Sequence, residues 1–383
     1  MFFHPLVPDP PKHSQTRHTM SRVLDDAVRA SLDEAVRLLQ AGELVAFPTE
    51  TVYGLGADAA NPEAVAKIFA AKGRPADHPV IVHLPGAAHI ERWAVDIPQT
   101  AWDLAEAFWP GPLTLILKRA PATPLAVTGG QETVGLRAPA HPLALALLRA
   151  YAQAGGGRQG MCGIAAPSAN RFGRISPTDA AHVREELGDA VSLVLDGGVC
   201  DVGIESTIID LSNPDAPPRI LRPGHITPAQ IAAVIGIVPE IAQMPGLRAP
   251  SESGEANNTG AASESPRAPG MLAAHYAPRT SLRVVATAAL AQTLAALHRT
   301  GQSAALIAHS SSAASLPARS WCLLPDEAEG FARGLYAALR TADREGCDVI
   351  VVEAVPDRPE WAAVADRIRR AAVGSCTVEE AIR

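Results

Sequence analysis

The sequence predicts an α/β protein in two parts, a first domain built on a mixed sheet and a smaller second one. Three observations lead there. At 383 residues the chain is long enough for two or three domains, each with its own core. Short apolar runs interleave with stretches of helical periodicity, the pattern of strands alternating with helices. Residues 245–270 interrupt that pattern: they hold no Val, Ile or aromatic residue, are rich in Pro, Gly, Ser and Ala, and read as a flexible linker.

The elements follow in order. Residues 29–40 (RASLDEAVRLLQ) repeat apolar positions at helical spacing and meet a stop at Gly42. Leu44 to Phe47 is a short buried strand. Asn61-Pro62 opens a helix, with Asn as cap and Pro in the first turn; Val65, Ile68 and Phe69 give its apolar stripe and Gly73 ends it. Lys72 therefore sits at the helix exit, before a strand at Val80 to Leu84. Further strands are expected at 113–118, 133–137, 163–166, 192–195, 206–211 and 219–222, and helices at 100–108, 142–152, 178–187 and 228–235. Beyond the linker comes PGMLAAHYAP (Pro269 to Pro278), then strands near 282–286, 304–308 and 348–353 and helices near 288–299, 327–341 and 359–372.

Composition narrows the function classes. A hydrophobic fraction of 47% and a charged fraction of 19% are ordinary for a globular protein. The formal charge of −7 gives the whole molecule no electrostatic footprint for nucleic acid, although a local basic groove is compatible with it. No apolar run reaches the length of a membrane span, and Met1 to Met20 has no apolar core of a secretory signal. Residues 1–22 read as a disordered extension, with Met20 as an alternative start. The five cysteines (Cys162, Cys200, Cys322, Cys347 and Cys376) are scattered, odd in number and never in a C-x-x-C pair, which fits reduced thiols in the cytoplasm and no structural zinc.

The chemistry-bearing segments each have a bland reading and a functional one. GLGADA (Gly54 to Ala59) mimics a dinucleotide fingerprint, but those glycines must open a helix directly, and here Asn61-Pro62 opens it. There is no G-x-x-x-x-G-K-[ST], so no P-loop. PTETVYGLG (Pro48 to Gly56) reads as a Thr/Tyr/Gly turn. Lys72 and Arg74 are either solvated charges at a helix end or, stiffened by Gly73 and Pro75, two cations aimed together at a polyphosphate. His83 lies in VIVHL, where alternation sends Val80, Val82 and Leu84 to one face and Ile81 and His83 to the other; it is a core histidine or a pocket group. Arg137 ends the apolar strand TVGLR four residues after Thr133. No acid lies near it in sequence, so a ligand carboxylate is its expected partner. In APSANRFGRISPT (Ala166 to Thr178), Ser168 and Asn170 face the same way if the chain stays extended, and Ser176 is a ligand group or the next helix cap. GIESTIID (Gly203 to Asp210) and RPG (Arg222 to Gly224) flank strands as ligand crevices of α/β proteins do.

Together, PTETVYGLG, KGRP, VIVH, PGPLT, LRAP, APSAN, GIESTI and RPG resemble the YrdC-like family of threonylcarbamoyl-AMP synthases. They are most similar to its longer branch with a C-terminal domain behind a linker, and PGMLAAHYAP extends the likeness to nearly the whole chain. His78 departs from the pattern, where the family often has Asn before Pro. The resemblance implies a YrdC-like twisted mixed sheet with helices on its faces, plus a smaller Rossmann-like α/β C-terminal domain. The implied divisions are 1–22 extension, 23–228 catalytic domain, 229–280 linker with a lid segment, and 281–383 C-terminal domain. It implies that L-threonine, bicarbonate or CO2, and ATP give threonylcarbamoyl-AMP and pyrophosphate. A downstream threonylcarbamoyl-transferase complex would use the product to modify tRNA at the adenosine beside the anticodon, with a weak tRNA contact by this chain.

Carried onto this sequence, Thr49, His83, Thr133, Arg137 and Ser206 form the threonine and carbamate pocket. Lys72, Arg74, Ser168, Asn170, Ser176 and Arg222 hold the nucleotide, with His275 and Tyr276 covering it from the linker. Lys72 and Arg74 are the implied catalytic pair, Mg2+ arrives with ATP, and no protein metal site is implied. No nucleophile or triad stands out, so positioning of the N-carboxylated threonine against the α-phosphorus is the expected source of rate. One rival, an RNA-binding module with a concave basic surface, uses the same Lys and Arg residues; another, from the same fold family, is a carbamoyl-transfer module for hydrogenase maturation, whose zinc-finger and acylphosphatase-like parts do not appear. The C-terminal domain shows no catalytic constellation and is expected to regulate access or to mediate contacts. Met271 to Tyr276 is expected to fold over the nucleotide site when ligand is bound and to be mobile when it is empty.

Overall fold

The structure, a computed structural model, describes residues 26–242 and 266–380. The extension 1–22 and the linker up to residue 265 lie outside the described residues.

The first domain runs α1 (Asp26–Gln40), β1 (Val45–Phe47), β2 (Gly54–Asp58), α2 (Pro62–Lys72), β3 (Val82–His83), α3 (Gln99–Phe108), β4 (Leu113–Lys118), α4 (Leu125–Thr128), β5 (Thr133–Arg137), α5 (Pro142–Gln153), β6 (Ile164–Ala165), α6 (Ala180–Leu187), β7 (Leu193–Val194), β8 (Thr207–Asp210), β9 (Arg219–Arg222), α7 (Pro228–Ile235) and β10 (Glu240–Ile241). Its ten strands make one mixed sheet in the order β10-β9-β8-β4-β5-β3-β6-β2-β1-β7. The expected end of α2 is present at both termini: Asn61 accepts from the Glu63 N–H, and Gly73 takes the left-handed conformation at φ 62°. The alternation in VIVHL also holds, since Val80, Val82 and Leu84 enter the main core while Ile81 and His83 face the cleft described below.

Three readings are corrected. The Thr/Tyr/Gly turn runs straight into strand β2, where Gly56 is required by packing: a Cβ there would lie 2.8 Å from the Phe47 ring and 3.0 Å from the carbonyl oxygen of Val45. The cap of α6 is Asp179, not Ser176; its carboxylate accepts from the His182 N–H. The sheet also continues past residue 228, because β10 pairs parallel with β9 and Ile231 of α7 is in the main core.

Helices cover most of both sheet faces. One core gathers around α2, α3 and α7, another between α1 and α5. A further patch, formed by Ile81, Ile116, Ile208 and Leu221, is instead met by Ala268 and Met271 of the chain emerging from the linker. This part of the linker is packed, contrary to the expectation from composition: Gln131 accepts the Arg267 N–H at 2.7 Å and donates to its carbonyl at 3.0 Å.

The second domain contains β11 (Ser281–Val285), α8 (Leu290–Arg299), β12 (Ala304–Ala308), β13 (Ser320–Leu323), α9 (Ala328–Arg344), β14 (Val349–Glu353) and α10 (Ala362–Glu380). Its four strands are parallel in the order β11-β14-β12-β13; the edge strand β13 is absent from the sequence reading. The domains share a core. Val52, Ile175, Ile204 and Tyr276 pack with Phe331, Leu335, Tyr336 and Ile368.

Candidate active site

A cleft opens where β3, β5 and β9 end and β8 begins, under the segment Pro269 to Tyr276. Thr49, Lys72, Arg74, His83, Arg137, Ser168, Asn170, Ser206, Arg222, His275 and Tyr276 line it, which brings together most of the residues singled out in the sequence. Thr133 and Ser176 do not line it. Thr133 begins β5 at the end away from Arg137, opposite Lys118, and Ser176 turns its hydroxyl to Glu205 at 2.6 Å.

At one end stand the cations. Lys72 is 3% exposed and donates to the carbonyls of Ser168 and Asn170, both at 2.5 Å. Burial, then the charge of Arg74, holds its ammonium well below the usual lysine range. Arg74 donates to the Pro79 carbonyl at 2.7 Å, and burial pulls it down to about 10. Arg222 donates to the Ser206 carbonyl, the Ser206 hydroxyl and the Pro269 carbonyl, at 3.0, 3.0 and 2.9 Å. No carboxylate pairs with Lys72, Arg74 or Arg222 among the described residues. Lys72, Arg74 and Arg222, cations that the RNA-binding rival would use, are all buried.

At the other end Arg137 departs from expectation. Its acid is Glu50, at 2.6 Å, and it also donates to the Thr51 hydroxyl at 2.9 Å and the Gly111 carbonyl at 3.2 Å. Sequence distance hid this partner. Three of the five N–H donors of the guanidinium are so engaged. Beside it, burial and the Arg137 charge push His83 down to about 3, so the ring is neutral at pH 7. The Ser206 and Thr114 hydroxyls bond at 2.8 Å, as do those of Thr49 and Thr51.

The lid is braced from the second domain. Tyr276 takes φ 62°, rare for a residue with a side chain, and its ring sits 5.7 Å from that of Tyr336 with the Arg367 guanidinium 5.3 Å from its centroid. Gly270 lies so close that a Cβ there would meet the Tyr276 hydroxyl at 2.3 Å. Glu205, on the cleft wall, accepts from Tyr336 at 2.9 Å and Arg367 at 2.8 Å. Burial raises its carboxyl, but Arg367 and Arg222 outweigh that and bring it down to about 2. Among the described residues, the second domain thus supplies none that line the cleft but holds one in place. Sequence reasoning missed Glu50, Glu205, Tyr336 and Arg367. The apolar company of Arg137 already demanded an acid, and PTETV offered one.

Seven buried side-chain polar atoms lack a hydrogen-bond partner among the described residues. Five of them, Arg74 Nε, His83 Nδ1, Asn170 Oδ1, His275 Nδ1 and the Tyr276 hydroxyl, belong to residues lining this one cleft. Buried polar groups are seldom left unpaired, so their concentration marks a place reserved for a polar ligand.

Comparison with known proteins agrees with this geometry. A family model described as telomere recombination matches residues 37–224, and one described as threonylcarbamoyl-AMP synthase, C-terminal domain, matches residues 226–373. The chain is 40% identical to the threonylcarbamoyl-AMP synthase of Pyrococcus abyssi over 343 residues, 88% of this chain and 92% of the relative. It is 40% identical to the Bacillus subtilis threonylcarbamoyl-AMP synthase over 346 residues, 89% of this chain and 92% of the relative. The crystal structure of P. abyssi Sua5 complexed with L-threonine superposes with a TM-score of 0.77 at 38% identity, covering 90% of this chain and 94% of that one.

Proposed function

The chain belongs to the threonylcarbamoyl-AMP synthase family in its two-domain form, and from that premise we propose how its cleft works. The enzyme is a nucleotidyltransferase that forms threonylcarbamoyl-AMP for the threonylcarbamoyladenosine modification of tRNA. The threonine amine takes up CO2, from bicarbonate, with loss of a proton. A carbamate oxygen then attacks the α-phosphorus of ATP, and the bond from that phosphorus to the bridging oxygen breaks as pyrophosphate leaves.

The observation that carries this reading is the set of five unpartnered polar atoms, split between two ends of different chemistry. Thr49, His83, Arg137 and Ser206 take threonine and its carbamate. Arg137, fixed by Glu50 and Thr51, has donors left for the threonine carboxylate, and the neutral His83 ring neither repels it nor competes for the charge. Lys72, Arg74, Ser168, Asn170 and Arg222 take the nucleotide. Among the described residues no carboxylate forms an ion pair with Lys72, Arg74 or Arg222, so their donors are available to the phosphates and to the charge that grows on departing pyrophosphate. His275 and Tyr276 close over the adenylate and exclude water, which would hydrolyse the mixed anhydride.

No three His, Cys, Asp or Glu side chains gather to hold a metal among the described residues, and Glu50 and Glu205 are committed to Arg137 and Arg367. These residues do not form a resident metal site, and Mg2+ enters with the phosphates of its ATP substrate. The product, a reactive anhydride, suits a transferase complex that modifies the adenosine beside the anticodon of tRNA. Cytoplasmic residence is supported by the free thiols of Cys162, Cys200, Cys322 and Cys347; no helix among the described residues is long and apolar enough to cross a membrane. The test is product analysis with ATP, threonine and bicarbonate, omitting each in turn. Pyrophosphate should appear only with all three, and equal release without threonine would overturn the mechanism.

A further inference from the structure

Behind the loop 171–175 the two domains enclose a second cavity, of about 270 Å3, that takes no part in the chemistry above. Five arginines line it: Arg171 and Arg174 on the loop, Arg279 just after the lid, and Arg340 and Arg344 at the end of α9. Three carboxylates face them, those of Glu185, Glu186 and Asp343. Among the described residues only one close pair forms here, Arg340 with Glu186 at 3.1 Å. Arg174 stands 3.7 Å from Asp343, and Arg344 stands 3.8 Å from Glu185. Both Asp343 oxygens are taken by backbone N–H groups, of Arg279 at 3.0 Å and Thr280 at 2.8 Å. The Arg171 side chain reaches only the Glu186 carbonyl, at 3.1 Å, and the Arg279 guanidinium has no partner among the described residues. Arg340, itself 5% exposed, keeps its Nε without an acceptor.

We propose that this seam binds a small phosphate-type anion, held by the forks of Arg171, Arg174, Arg279 and Arg344. Guanidiniums suit such oxyanions because they can donate in parallel pairs, and an anion would discharge the like-charge repulsion that the three carboxylates leave. Arg174 already feels it: burial lowers its guanidinium, and Arg279 and Arg340 lower it further against the opposing pull of Asp343. The site would also communicate with the cleft. The loop carrying Arg171 and Arg174 presents Asn170, Phe172 and Gly173 to the cleft, and the Gly173 carbonyl accepts from Ala277, next to Tyr276, at 2.9 Å. An anion in the seam therefore ties the cleft loop, the exit of the lid and α9 together.

Two sources share this chemistry: inorganic phosphate from the surroundings, and pyrophosphate released by the reaction, the second of which rests on the function proposed above. The test uses the full chain carrying Lys72→Ala, so that binding at the nucleotide end is weakened. Calorimetric titrations with sodium pyrophosphate, sodium phosphate and sodium chloride are compared, with hydrogen exchange followed in 171–175 and 279–281. Saturable binding of one phosphate or pyrophosphate per chain is expected, with slowed exchange in both segments and none with chloride. Adding Arg171→Gln and Arg279→Gln should weaken it at least ten-fold; both side chains are exposed, so the fold should survive, as a thermal midpoint checks. Tighter binding of pyrophosphate assigns the site to the product, and equal binding of phosphate assigns it to the free ion. No saturable binding, binding indifferent to the two arginines, or binding only of a tRNA transcript would overturn the proposal. The titration reads no turnover, so its failure is distinct from a failure of the reaction scheme.

Discussion

Two buried charged networks lie within a few residues of each other and are built on opposite rules. In the cleft, Lys72, Arg74 and Arg222 donate to carbonyls and a hydroxyl and form no ion pair with a carboxylate among the described residues. Around Glu205, two buried arginines of α10 are paired with acids: Arg367 reaches Glu205 and Asp366, at 2.8 and 2.9 Å, and Arg370 reaches Asp366 at 2.9 Å. A buried charge left without its counter-charge costs stability, whereas a paired one specifies a geometry. The first network is therefore kept for a ligand's charge and the second for holding the domains and the lid together. Substitutions should separate stability from activity along the same line.

The largest effect is expected on the paired side. Arg367→Met leaves Glu205 buried with its main cation gone, which costs about 3–5 kcal/mol when one partner of a buried pair is removed. Denaturant unfolding should show this loss without any ligand present. A midpoint unchanged from the parent chain would mean that Glu205 does not depend on α10.

The unpaired side should answer the other way. Lys72→Met removes a desolvated ammonium that no carboxylate neutralises, at the expense of two hydrogen bonds to carbonyls. Stability should move little, while pyrophosphate formation falls by about 10²–10³, the usual effect of deleting one donor aimed at developing charge. Equal losses in both readouts would collapse the distinction between the networks.

Acid should unpick them in sequence. The folded pKa of His83 is depressed to about 3 from an ordinary value near 6.5, so between those limits the unfolded chain binds a proton that the folded chain refuses, and stability falls as pH drops below 6.5. Glu205, depressed to about 2 from near 4.5, adds stability that is complete above 4.5 and lost as pH falls towards 2. Each contributes a slope of about 1.4 kcal/mol per pH unit within its window. His83→Gln should remove one proton's slope between pH 6.5 and 4.5, where Glu205→Gln matches the parent. Below 4.5, Glu205→Gln should remove one proton's slope, while that of His83 persists down to about 3. Unfolding free energies measured at several pH values in each window decide it, and identical profiles would contradict the assignments.

The two networks also differ in how far the sequence revealed them. The cleft cations sit in compact motifs whose spacing survives folding: a helix capped by Asn61 and ended by Gly73 delivers Lys72 and Arg74 to one place. The carboxylates were hidden in segments read for their hydroxyls. Glu50 meets Arg137 across 87 positions, and Glu205 meets Arg367 across 162. Such pairs follow from the order of ten strands and the docking of a second domain, which periodicity does not specify. Strand β2 escaped for a local reason. Its glycines signal a turn, yet they are there because Phe47 and Ile164 leave no room for a side chain at Gly56. The burial of Tyr276 was legible from the apolar and aromatic make-up of its segment, but its packing against Tyr336 and Arg367 was not.

The smallest effect tests where the networks meet. Tyr276 packs its ring against the paired network through Tyr336 and Arg367, while its hydroxyl faces the cleft with no partner. Burial raises that hydroxyl to about 12, so it is protonated at neutral pH and remains a donor. Tyr276→Phe keeps the ring and removes only the hydroxyl. Stability should change by less than about 0.5 kcal/mol, because no hydrogen bond of the free protein is lost. If the hydroxyl is reserved for the adenylate, the variant forfeits one neutral hydrogen bond in the complex, about 1 kcal/mol, and the KM for ATP should rise roughly five-fold with threonine affinity unchanged. Tyr276→Ala, which also empties the space beside Arg367, should lower stability and product yield together. The contrast between the two variants separates the ring's part in the domain interface from the hydroxyl's part in the cleft. An ATP KM unmoved by Tyr276→Phe would leave the residue as packing alone and assign closure over the nucleotide to His275.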